Sequence, residues 1–119
     1  MGHYHTSVAA KNLAATLLDL KCYEEAKLVL RKAIPAARRV LGANNETTFR
    51  TRKCYARALF EDPAATLDDV REAVTTLDDV ARISRRVMGV ANPITRGIEY
   101  DIREARAALR ARETPPGTR

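Results

Sequence analysis

Two stretches of the sequence decide the fold. They are YEEAKLVLRKAIPAARRVLG at residues 23–42 and VREAVTTLDDVARISRRVMG at residues 70–89, which align with a shift of 47 residues from Gly42 to Gly89. In each stretch the apolar residues step by three and four positions, which is the spacing of one face of an α-helix. The shift between them predicts a degenerate repeat of a helix pair.

The residues around the repeat predict three further helices. Gly42 and Gly89 each follow a repeated stretch, at the place where a residue with positive φ commonly closes a helix. We therefore expect an all-α protein, a stack of antiparallel helical hairpins with about two and a half repeats. The predicted helices lie near 7–20, 23–41, 46–61, 66–88 and 93–112.

Local signals set the borders of this helical region. Thr66 with Asp69 three residues later resembles a capping box at the start of the fourth helix. The closing sequence TPPGTR cannot continue a helix. We predict a flexible N-terminus at 1–6, a helical repeat domain at 7–112 and a disordered tail at 113–119.

The composition is that of one small globular domain. Of the 119 residues, 45% are hydrophobic, which excludes a fully disordered chain. The sequence has no run of apolar residues long enough to span a membrane or to serve as a secretory signal. The two cysteines, Cys22 and Cys54, lack the spacing of a disulfide framework. These features predict a cytoplasmic protein in a reducing compartment, without a membrane partner.

Four short motifs follow one another in the first part of the chain. They are Asn12-Leu13-Ala14, Leu17-Leu18-Asp19, Tyr23-Glu24-Glu25-Ala26 and Arg39-Val40-Leu41-Gly42. Over about residues 8–112 the sequence resembles tetratricopeptide repeats of the kinesin-light-chain type. The resemblance implies a right-handed stack of helical hairpins whose first helices line a concave groove. In such repeats the groove holds peptide segments of other proteins.

The first helix of each hairpin is predicted to have a buried side and a groove side. In the first helix the buried side contains Leu13, Ala14 and Leu17, so the opposite side is expected to face the groove. The same reasoning in all three first helices predicts these groove residues: Lys11, Asn12, Arg50, Lys53, Arg57, Tyr100, Asp101 and Glu104. The basic members are suited to bind acidic side chains of a partner. The alternative is a solvated charged face without a partner.

Other functions have weaker support in the sequence. The net charge of +6 and arginine clusters such as Arg38-Arg39 suggest nucleic-acid binding. Against this function, acidic residues are interleaved and no aromatic platform accompanies the arginines. His3 and His5 have no further ligands at metal-binding spacing, so we expect no metal and no cofactor. No catalytic motif is present, so we expect no enzyme activity.

The sequence therefore predicts a non-catalytic protein–protein interaction module, a scaffold that binds a partner protein or an acidic peptide segment in its groove. The alternative is a structural subunit, or the end of a longer repeat array, that packs through its helix faces. Stacked repeats generally need three or more units to be stable. An oligomer or a larger assembly is therefore also consistent with the sequence.

Overall fold

A computed structural model describes residues 2–113 of the chain, and within that range it confirms the all-α prediction. The five helices are α1 (Gly2–Asp19), α2 (Tyr23–Leu41), α3 (Glu46–Phe60), α4 (Leu67–Met88) and α5 (Pro93–Glu113). The described range contains no strand and no helix that is long and apolar enough to cross a membrane.

The helix ends agree with the predicted ones to within a residue, apart from the start of α1. This helix begins at Gly2 and not near residue 7, so it overlaps the predicted flexible segment 1–6. Glu113, the first residue of the predicted tail, is the last residue of α5. The remainder of that predicted tail, 114–119, lies outside the described residues.

The turns after α2 and α4 have the same conformation, which supports the predicted repeat. Gly42 and Gly89 both have φ +92°, and their amides donate to the carbonyl oxygens of Arg38 and Arg85. A Cβ atom built on either glycine would meet nothing within 4 Å. Glycine is therefore required at these two positions by the backbone conformation and not by a lack of space.

Side-chain caps start the helices that follow these turns. Asn45 and Asn92 each accept a hydrogen bond from the amide two residues later, at 2.8 Å in both cases. Thr66 and Asp69 form the predicted capping box at the start of α4. The Thr66 amide donates to the Asp69 carboxylate and lowers the pKa of Asp69 below its ordinary value. Capping of this kind satisfies amides that have no partner inside a helix.

The helices form two layers. Each helix contacts the next one along the chain, and α3 also contacts α1 and α5. Within residues 2–113, no Cα atom of α2 lies within 8 Å of a Cα atom of α4. The layer of α1, α3 and α5 is therefore closed, while the layer of α2 and α4 is spread apart. This arrangement makes the stack concave on the side of α1, α3 and α5.

The core is largest where α3, α4 and α5 meet. Phe49, Leu77 and Ile98 are completely buried there, one from each helix. A smaller cluster of Leu18, Ala26 and Ala58 joins α1, α2 and α3. Four alanines that lie between packed helices have no exposed surface: Ala14, Ala26, Ala56 and Ala73.

Leu13 is predicted to be buried but is exposed in the structure, as are two further apolar residues, Leu20 and Val40. Leu13 is 49% exposed, Leu20 is 66% exposed and Val40 is 42% exposed. Leu18 of α1 packs into the core, and Leu17 is partly buried against the same cluster. For Leu13 the physical reason is that, within residues 2–113, α1 packs only against α2 and α3. Apolar spacing alone does not reveal that a neighbour is missing.

Replacing Ala26 by leucine should destabilise the protein. Ala26 is fully buried against α1 and α3, so the larger side chain would overpack the contact and cost about 1–3 kcal/mol. Urea unfolding followed by circular dichroism measures the loss. Ala107→Leu, on the exposed side of α5, is the matched control and should change the free energy of unfolding little. Equal stability of the two variants would contradict the assignment of this helix face.

Candidate functional site

Two adjoining cavities lie on the concave side of the stack, and all eight predicted groove residues line one or the other. The first, which we call the basic cavity, has a volume of about 360 Å³. The second, which we call the mixed cavity, has a volume of about 610 Å³. Lys53 of α3 and Gly97 of α5 line both cavities. Together the two cavities form one groove along α3.

The basic cavity is lined by three cations and by no carboxylate. Lys11 comes from α1, and Arg50 and Lys53 come from α3. The remaining lining is small, apolar or neutral: Asn12, Ala15, Cys54, Pro93, Ile94 and Gly97. An anionic group with an apolar stem matches both parts of this lining.

The cations of the basic cavity differ in their partners. Arg50 Nε lies 3.2 Å from Glu46 Oε2, one turn earlier on α3, and both side chains are about half exposed. Such exposed pairs contribute little stability and exchange readily with other charges. Among the residues that the structure describes, Lys11 forms no ion pair. Lys11 and Arg50 are therefore the groups most accessible to an incoming anion.

The mixed cavity contains two ion pairs and one further acid. Lys53 Nζ lies 3.0 Å from Asp101 Oδ2 of α5. Arg57 Nε donates to Glu61 Oε2 at 2.7 Å, which joins two residues one turn apart. Glu104 lines the same cavity, is exposed, and forms no ion pair within residues 2–113. The mixed cavity therefore has a formal charge of about −1.

Asp101 differs from its prediction as an exposed groove residue. Its side chain is only 8% exposed, and its Oδ2 atom contacts Lys53 without hydrogen-bond geometry. Burial raises the pKa of the Asp101 carboxyl above its ordinary value, against the opposing effect of Lys53 and Arg57. Asp101 is therefore the partner that holds Lys53 in place, and it is not available to contact a ligand directly.

Tyr100 provides an aromatic surface at the edge of the mixed cavity. Its side chain is more than half exposed, and the guanidinium of Arg103 lies 5.9 Å from the centre of its ring. Exposed aromatic rings beside charged groups are frequent anchors in protein interfaces. The ring is suited to contact either an apolar or a cationic side chain.

The thiol of Cys54 faces the basic cavity, but its chemistry is not that of a reactive thiolate. Burial raises the pKa of Cys54, although Lys53, Arg57 and Lys11 oppose the shift. A thiol with a raised pKa is a poor nucleophile at neutral pH. Among the described side chains, no group of three His, Cys, Asp or Glu residues could hold a metal ion.

Sequence reasoning missed Phe60, Glu61, Pro93, Ile94 and Gly97, which also line the groove. A helical signal was present for two of these five residues. Glu61 is four residues after Arg57, and Gly97 is four residues before Asp101, so each lies on the same helix face as a predicted groove residue.

Replacing Asp101 by asparagine should stabilise the protein at neutral pH. The raised pKa means that the fold favours the neutral carboxyl, which asparagine resembles. Below about pH 4 the wild-type carboxyl is protonated in both the folded and the unfolded state, so the gain disappears there. The gain develops as the pH rises from the ordinary carboxyl pKa of the unfolded chain to the raised pKa of folded Asp101, and it is constant above that pKa.

Urea unfolding across this pH range measures the difference. Asp19→Asn, at an exposed carboxylate on the end of α1, is the matched control. A loss of stability in Asp101→Asn that grows with pH would contradict the prediction. It would mean that the attraction to Lys53 outweighs the cost of burying the carboxylate.

Comparisons with known proteins give no match for this chain, whether with protein-family models, with curated proteins or with solved structures. The assignment of a function therefore depends on the geometry and charge of the groove itself. The resemblance to tetratricopeptide repeats stays a prediction from the sequence.

Proposed function

We propose that this chain is a non-catalytic protein-interaction module of the tetratricopeptide-repeat type. It binds a segment of a partner protein along the groove, with acidic residues of that segment in the basic cavity. The observation that carries the proposal is the basic cavity itself, which gathers Lys11, Arg50 and Lys53 from two helices without a lining carboxylate.

The character of the groove supports binding over chemistry. Lys53 and Arg57 are each paired with a carboxylate, which holds both side chains in position in the groove. Asn12 is exposed on the wall of the basic cavity, where its amide is able to donate to and accept from a peptide backbone. Both cysteines are free, which fits the reducing compartment expected for a cytoplasmic protein.

A displayed library of random peptides tests the proposal. Peptides selected on the wild-type protein should be enriched in Asp and Glu. Lys11→Glu with Arg50→Glu should weaken their binding on the order of tenfold, because two attractions become repulsions. The loss should shrink as the salt concentration rises, since exposed charges are screened over about 8–10 Å.

The matched control reverses two arginines outside the groove. Arg39 and Arg86 are exposed near the ends of α2 and α4, and neither forms an ion pair within the described range. Arg39→Glu with Arg86→Glu changes the net charge by the same amount. Equal losses of binding in the two double variants would show that net charge, and not the groove, attracts the peptides.

One observation favours the structural alternative. Leu13, Leu20 and Leu28 are 49%, 66% and 60% exposed, and all three lie on the hairpin of α1 and α2. The opposite end of the stack has a different character. The 47-residue shift aligns α3 with α5. Where α3 has the buried residues Phe49, Ala56 and Leu59, α5 has three exposed arginines: Arg96, Arg103 and Arg106. The exposed leucines of the first hairpin therefore offer an apolar surface for association, whereas these arginines of α5 do not.

The mass in solution distinguishes the two functions. As an interaction module the protein should sediment as a monomer of 13.2 kDa. A larger mass for the wild-type protein, together with a monomer mass for the double variant Leu20→Ser with Leu28→Ser, would favour the structural subunit. Val87→Ser with Val90→Ser removes exposed apolar residues elsewhere and is the matched control.

A further inference from the structure

We infer that the groove selects a charge-segregated peptide, with acidic residues at one end and a basic residue about five positions away. This inference rests on the proposed function, because it specifies which peptide segment the groove accepts. The acidic end lies in the basic cavity and the basic residue lies in the mixed cavity.

The acidic end is recognised by Lys11 and Arg50. Lys11 is without an ion pair in the described part of the chain, and the exposed pair between Arg50 and Glu46 is easily exchanged. The two cations belong to neighbouring helices, α1 and α3, which contact each other. An anionic side chain between Lys11 and Arg50 gains two attractions, at the cost of only the exposed pair between Arg50 and Glu46.

The basic residue is recognised by Glu104 and Tyr100. The two other carboxylates of the mixed cavity are engaged, Asp101 with Lys53 and Glu61 with Arg57. Glu104 is the lining carboxylate that has no ion pair within residues 2–113. The guanidinium of Arg103 lies 5.9 Å from the centre of the exposed Tyr100 ring, and the ring has a second face over which the basic residue of the peptide is able to lie.

The length of the groove sets the spacing of the peptide charges. Arg50 and Phe60 are ten positions apart on α3, which corresponds to about 15 Å along the helix axis. Phe60 and Glu104 line the same cavity. An extended peptide covers about 3.3 Å per residue, so it spans this length in about five residues.

The pair of Lys53 and Asp101 divides the two ends. Lys53 lines both cavities, but the carboxylate 3.0 Å from its ammonium group cancels most of its charge. The positive potential of the basic cavity therefore ends at this pair. An acidic peptide residue beyond it meets Glu104, which repels it.

Three synthetic peptides with a fluorescent label test the inference by fluorescence polarisation. EEGSGSK is charge-segregated, EKEGSGS has the same composition with its charges mixed, and EEGSGSE is wholly acidic. The wild-type protein should bind EEGSGSK about fivefold more tightly than either of the others. Glu104→Lys should reverse the order of EEGSGSK and EEGSGSE. Glu25→Lys, an exposed site on α2 outside the groove, should leave the order as in the wild type.

The outcomes separate this inference from the proposed function. Suppose that EEGSGSK and EEGSGSE bind equally well, that Glu104→Lys does not change this, and that Lys11→Glu with Arg50→Glu weakens both. This result overturns the charge-segregated peptide but still supports a peptide-binding groove. Binding of none of the three peptides also overturns the inference. The library selection then decides separately whether the groove binds peptides.

Discussion

Helix α3 contacts all four other helices, and most features of the molecule follow from that constraint. Nearly half of its side chains are buried to meet these neighbours: Thr48, Phe49, Thr51, Arg52, Ala56, Ala58 and Leu59. The side of α3 that remains on the concave surface is the stripe of Arg50, Lys53 and Arg57, which are three and four residues apart. The groove residues are therefore those that the contacts of α3 leave free.

Small side chains make these contacts possible. Alanines without exposed surface occur in every unit of the stack, where they let the helices approach closely. The larger side chains are concentrated between α3, α4 and α5, and the first hairpin is held by a smaller cluster around Leu18 and Ala26. The basic cavity takes Lys11 from that first hairpin. The shape of the basic cavity therefore depends on the smaller of the two core clusters, the one around Leu18 and Ala26.

The sequence predicted the features that depend on neighbouring residues along the chain. Caps and positive-φ glycines act within one turn, so four of the five helices start and end within a residue of their predicted bounds. The groove side of α3 was predicted because periodicity identifies a helix face. The burial of Asp101 was not predicted, because it depends on the packing of α5 against α3, where Lys53 is its partner. The exposure of Leu13 was missed for a related reason, since it depends on which helices pack against α1, and within the described range these are only α2 and α3.

The net charge of the chain says little about how the groove recognises a partner. Most cations in the groove already have carboxylates beside them, and these pairs are not equivalent. The pair of Arg50 and Glu46 is exposed, so a ligand replaces Glu46 at little cost. Asp101 is nearly buried, so a ligand that removed Lys53 would leave a buried carboxylate without its counter-charge, a far more costly state. The exposed pair is thus open to exchange, while the buried pair stays fixed and gives the groove its two ends.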